Sequence, residues 1–90
     1  MEGLTKYKNY EEIAAVERQI KEISPELKIS GTASNDLGKT ASAVYVIIFE
    51  KGNKTIISKL KEIGFEKTYR CKIGDSYDGY SMRVTLRKFL

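Results

Sequence analysis

Gly38-Lys39-Thr40 is the tripeptide that closes the phosphate-binding loop of many nucleotide hydrolases. Such a loop needs a glycine five positions before the second one, a strand before it and a helix after it, so that helix N–H groups meet the phosphates. Position 33 is Ala33, the nearest glycine is Gly31, and the residues after Thr40 read as a strand. A nucleotide site is therefore not expected. The chain also lacks histidine, which removes imidazole acid–base catalysis and histidine metal ligation. Cys71 is the one cysteine; without an imidazole partner, and with alternation pointing it at the core, it reads as an inert small hydrophobe. Asp75 and Asp78 flank the turn GDSYDG, where their type favours turns without any metal. Asp36 is expected near them if both hairpin loops lie at one end of the sheet. No catalytic residue, metal or cofactor is assigned, and enzyme activity is not expected.

The elements that must position what remains follow from periodicity. Asn9 with Glu12 resembles a capping box, and Ile13, Val16, Ile20 and Ile23 recur at helical spacing, giving a helix over about 10–24 that ends at Ser24-Pro25. Glu17 and Lys21 form an i,i+4 pair on its wet side. Leu27 and Ile29 alternate with Lys28 and Ser30 as a short strand, a polar loop follows over 34–41, and Ala43 to Phe49 is an apolar central strand. Asn53 starts a second helix with the stripe Ile56, Ile57, Leu60 and Ile63. Gly64 suits a left-handed C-cap, with Phe65 packing back on Leu60. Phe65, Tyr69, Cys71 and Ile73 alternate with Glu66, Thr68, Arg70 and Lys72; Tyr80, Met82, Val84 and Leu86 alternate with Ser81, Arg83, Thr85 and Arg87. The expected fold is α+β: a two-layer α-β-β-α-β-β domain with a four-stranded antiparallel sheet and both helices on one face.

Ninety residues make a single domain over 1–90. A shift of 40 residues aligns Ile20-Lys21-Glu22-Ile23 with Leu60-Lys61-Glu62-Ile63, and Val44, Val46 and Phe49 with Val84, Leu86 and Phe89. Two α-β-β repeats at about 9–50 and 51–90 are one reading; chance likeness of amphipathic elements is the other. The shared register sends Val44, Val46 and Ile48 to the helices. The open face is then expected to carry Lys28, Ser30, Thr32, Tyr45, Ile47, Phe49, Arg70, Lys72, Arg83, Thr85, Arg87 and Phe89.

Charge is concentrated in the second half. Residues 1–45 hold six Lys/Arg and seven Asp/Glu, a net −1, whereas residues 46–90 hold ten and five, a net +5. Lys28, Tyr45, Phe49, Arg70, Lys72, Arg83 and Arg87 would form an aromatic-basic face. Such a face suits single-stranded nucleic acid, by stacking and phosphate pairing, or a protein partner, or a second copy of the chain. Residues 1–8 are a further candidate to cover it. No signal-like apolar segment opens the chain, no run is long enough to span a bilayer, and a lone cysteine favours a reducing compartment, so a cytoplasmic location is expected.

Leu27-Lys28-Ile29-Ser30-Gly31-Thr32-Ala33-Ser34-Asn35, set between a helix and a β-rich strand, resembles the first hairpin of small phage-encoded type II-A anti-CRISPR proteins. The likeness covers about residues 16–57. It implies a non-catalytic phage or mobile-element accessory protein that binds and blocks a nuclease or ribonucleoprotein complex. It further implies loop contacts from Ser34, Asn35 and Asp36, and Lys39 is added as a basic residue at the edge of the face. The family's inhibitors are acidic DNA mimics; this chain is net basic at +4 and its second half does not match them. The resemblance therefore implies inhibition by binding, not mimicry of DNA.

Overall fold

The computed structural model describes residues 6–74 and 81–90. The expected order is present: α1 (Tyr10–Ile23), β1 (Gly31–Asn35), a 3-10 turn (Asp36–Gly38), β2 (Thr40–Phe49), α2 (Lys54–Glu62), β3 (Glu66–Ile73) and β4 (Ser81–Phe89). All strand pairs are antiparallel, in the order β1-β2-β4-β3.

Helical spacing puts Ile13, Val16 and Ile20 on the inner stripe of α1, and Ile57 and Leu60 on that of α2. They pack on Val44, Val46, Val84 and Leu86 from the two central strands. Removing this apolar surface from water is what holds the two layers together. Tyr7 joins the core and shares a 2.9 Å hydrogen bond between its hydroxyl and Thr32 Oγ1, so residues just before α1 lie on the helix side and not over the open face.

The end of α2 follows the expectation closely. Gly64 has φ of +107°, the Phe65 N–H donates to the Leu60 carbonyl at 3.0 Å, and the Gly64 N–H donates to the Lys61 carbonyl at 3.1 Å. This is a Schellman cap, with Phe65 and Leu60 both buried. Lys88 Nζ donates to the adjacent Ile63 carbonyl. A Cβ on Gly64 would lie 2.5 Å from that nitrogen. Gly64→Ala should therefore cost about 1–2 kcal/mol, from the left-handed backbone and the displaced lysine. Denaturant unfolding measures this as a lower midpoint with an unchanged slope.

Four local expectations are corrected. Asn9 sits at the N-terminus of α1 but makes no side-chain cap; its amide donates to the Ala41 carbonyl at 2.8 Å and accepts from the Ala41 N–H at 3.0 Å. It fills both backbone positions at a break in the β1–β2 ladder, where Ala33 pairs with Ala43 but Ser34 pairs with Ala41. Lys21 donates to the Leu27 carbonyl at 2.9 Å, satisfying backbone beyond the helix end. Leu27 to Ser30 is not a strand: Leu27 is buried and Ile29 packs on the core, and ladder pairing begins at Gly31. The supposed loop over 34–41 is half strand: Ser34, Asn35, Thr40 and Ala41 are in the ladder, and only 36–39 connect the strands, through the short 3-10 turn.

Val46 pairs with Leu86, 40 residues on, and the flanking pairs Val44–Lys88 and Ile48–Val84 exchange under the same shift. The central pairs thus have local two-fold symmetry about Val46–Leu86; the outer ladders do not share it, since Gly31 pairs with Tyr45 whereas Cys71 pairs with Arg83. The two α-β-β units differ in helix length, 14 residues against 9, and in which strand is bulged: the central strand β2, at Ser42, in the first and the outer strand β3, at Thr68, in the second.

Candidate interface on the open sheet face

Cross-strand partners share a face of a sheet. Val46 and Leu86 lie under the helices, so the intervening pairs point the other way: Tyr45 with Arg87, Ile47 with Thr85, and Phe49 with Arg83. Phe89, opposite Ala43, extends this row. Tyr45, Phe49, Arg83 and Arg87 therefore lie together, as the alternation required.

The outer strand departs from expectation. Its register to β4 shifts between Lys67 and Tyr69: Lys67 pairs with Leu86 but Tyr69 pairs with Thr85. The extra residue, Thr68, donates its hydroxyl to the Thr85 carbonyl at 3.3 Å. A one-residue bulge exchanges faces for everything beyond it. Tyr69, Cys71 and Ile73 thus join the open face beside Thr85, Arg83 and Ser81, while Arg70 and Lys72 pair with Val84 and Met82 on the opposite face. The assignment of Arg70 and Lys72 to the open face is overturned, and so is the burial of Cys71, which is half-exposed. Neither helix covers β3, so Arg70 and Lys72 are exposed on their side.

Thr32 is also reassigned, since it pairs with buried Val44 and bonds Tyr7. Lys28 is exposed but precedes the first ladder pair. Ser34 and Asn35 are exposed at the end of β1, Asp36 opens the 3-10 turn, and exposed Lys39 follows it. This turn lies at the end of the sheet where β2 begins. The β3–β4 connection leaves Ile73 and returns at Ser81, at the end where β2 finishes. The two hairpins thus turn at opposite ends of the sheet, not at one end as expected; Asp75 and Asp78 lie outside the described residues. Among the described residues, no group of three or more His, Cys, Asp or Glu could hold a metal ion.

The face that results is apolar and aromatic. Of the seven exposed large hydrophobic residues among the described ones, five lie on it: Ile47, Phe49, Tyr69, Ile73 and Phe89. Tyr69 is 63% exposed and Phe49 46%. Charge is sparse and partly internal. Arg87 donates to Glu66 Oε1 at 2.7 Å across the β3–β4 ladder and stacks 4.4 Å from the centre of the Phe89 ring. The Glu66 hydrogen bond, against the opposing effect of desolvation and with help from the Tyr45 hydroxyl, raises the Arg87 pKa and keeps the guanidinium charged. Its Nε–H is enclosed without an acceptor among the described residues. Arg83 is the other cation of this surface, exposed opposite Cys71 and Phe49.

Sequence reasoning missed Tyr69, Cys71 and Ile73. The sign was Lys67, which stands in phase with Phe65 and Tyr69 where an apolar residue belongs. A lysine in that position marks where the strand leaves the core and its phase can reset. No helix among the described residues is long and apolar enough to cross a membrane. No family model, no curated protein and no solved structure matches the chain.

Proposed function

We propose that the chain is a non-catalytic binding protein that docks its open sheet face on a protein surface, acting as a phage or mobile-element inhibitor of a nuclease or ribonucleoprotein complex. One observation carries the docking: five exposed apolar and aromatic side chains from three strands share one face, and such clustering marks interaction surfaces. Aromatic anchors with arginine among them are the composition of interface hot spots. The Ser-Gly-Thr-Ala-Ser-Asn run and its resemblance to type II-A anti-CRISPR hairpins supply the class of partner. A base-stacking role for this face loses support, because Arg70 and Lys72 stand on the other side and Arg87 is already paired.

Affinity capture from the source organism, followed by nuclease digestion, tests this reading. A nuclease or ribonucleoprotein subunit should stay bound after digestion. Loss of all partners on digestion would overturn it in favour of nucleic acid.

A symmetric homodimer through the same face is the second reading. It is favoured by the near-neutral charge of the face, where an Arg87–Glu66 pair leaves Arg83 as the main exposed cation, so two copies meet with little repulsion. Light scattering separates the readings: a monomer at high concentration rules out the dimer.

A further inference from the structure

The bulge that clears Arg70 and Lys72 from the open face also builds a second surface. On the helix side of β3, uncovered by either helix, a cleft of about 260 Å³ runs between that strand and α2. Its walls are Lys54, Ile57, Ser58 and Lys61 from α2, with Lys67 from β3 and Glu50 from the end of β2. Lys54, Ser58 and Lys61 fall at i, i+4 and i+7, one face of the helix. Through Glu50 and Lys54 the cleft continues into a second hollow that adds Lys51. We propose that this cleft binds the phosphodiester backbone of a nucleic acid.

The charge balance supports an anionic occupant. Lys51, Lys54, Lys61 and Lys67 are exposed at its walls and form no salt bridge among the described residues. Among the described residues the one carboxylate lining it, Glu50, is neutralised by Arg70, whose Nε and Nη2 donate to it at 2.7 and 3.1 Å. The Arg70 bond, with the nearby charges of Lys67 and Lys54, holds the Glu50 pKa below its ordinary value, against the opposing effect of desolvation. Glu50 thus fixes Arg70 at the rim and leaves a net positive cleft. Lysines clustered without an acidic complement draw in polyanions.

The lining selects backbone over base or protein. Ile57 is buried and Met82, in the adjoining hollow, is partly buried; the other described lining groups are ammonium, hydroxyl and carboxylate, so charge and not an aromatic or apolar anchor is the main feature offered to a ligand. Among the described residues no aromatic ring lines the cleft for a base to stack on; Tyr69 faces the opposite side of the sheet. Lysine and serine are phosphate-contacting residues that position a nucleic acid without reading its sequence. Lys54 and Lys61 are two helical turns apart, about 10.5 Å, which corresponds to roughly three phosphates along one strand. The site is separate from the open face and stands without the reading given for it.

Fluorescence anisotropy with labelled 20-nucleotide RNA and duplex DNA of arbitrary sequence tests the proposal. Wild type should bind both at 50 mM salt, with little dependence on sequence. Affinity for duplex DNA should fall with salt at a log–log slope of about −2.7, for three phosphates neutralised. The triple variant Lys54→Gln, Lys61→Gln, Lys67→Gln should lose at least 30-fold at 50 mM salt. All three positions are exposed, and circular dichroism verifies the fold. The charge-neutral open-face variant Phe49→Ser with Tyr69→Ser should bind within about threefold of wild type. The proposal is overturned by absence of binding at 50 mM salt or by unchanged affinity in the triple variant. Polyglutamate competing as well as nucleic acid would equally overturn it and assign the cleft to an acidic protein.

Discussion

Phe49→Glu combined with Tyr69→Glu is expected to weaken binding to the captured protein partner by at least 100-fold while leaving the chain folded. Both rings are large, exposed and on the same face, one on β2 and one on β3, with β4 between them. Loss of a buried aromatic anchor typically costs an interface about 2 kcal/mol or more, and the new carboxylates would be desolvated against an apolar surface. Two such losses correspond to a factor of several hundred or more if the sites act independently. Folding is affected far less, because neither ring belongs to the core. Surface plasmon resonance with the purified partner measures the loss, and a thermal melt confirms the fold. Arg70→Glu serves as a control on the same strand: it faces the other side and should leave this affinity within about threefold, a change well under 1 kcal/mol.

Leu86→Ala is expected to have the largest effect on stability. Leu86 has no exposed surface, pairs with Val46 at the centre of the sheet, and packs in the cluster that contains Ile13, Ile20 and Leu60. Truncation removes transfer free energy and leaves a cavity, at about 3–4 kcal/mol for a site this enclosed. In a domain of this size, that is a large share of the total stability. The melting temperature should fall by roughly 12–30 °C. Met82→Ala, on the same side of the same strand but only partly buried, should cost less than half as much. Equal losses at both positions would contradict the described core.

Much of this core was legible because it is written locally. Ile13, Val16 and Ile20 stand at helical spacing; Val44, Val46, Val84 and Leu86 alternate; Gly64-Phe65 is a terminator whose geometry depends only on neighbouring residues. The central pairs of the open face followed from the same alternation, which is unbroken from Ala43 to Phe49 and through β4. What escaped depends on distant partners or on a break in the period. The Asn9 side chain caps nothing in its own helix because Ala41, 32 residues away, offers it both a donor and an acceptor. The bulge at Thr68 exists because β4 fixes a register that β3 meets only by inserting a residue. Alternation assumes a constant phase, so one inserted residue sent Tyr69, Cys71 and Ile73 to the wrong side, and Arg70 and Lys72 with them. The effect on function is large: one mixed aromatic-basic surface becomes two, an apolar face and a basic cleft.

Cys71 reports on this division directly, because the bulge is what brings it to the open face, next to Arg83 and within the surface proposed to dock. The rate of alkylation of Cys71 by a small maleimide, followed by mass spectrometry with and without the captured partner, is the decisive measurement. The free, native protein should label readily without denaturant, since the thiol is half-exposed. The complex should label at least tenfold more slowly. Labelling that requires denaturant would show that β3 lacks the bulge, and equal rates in the free and bound states would show that the open face is not the interface.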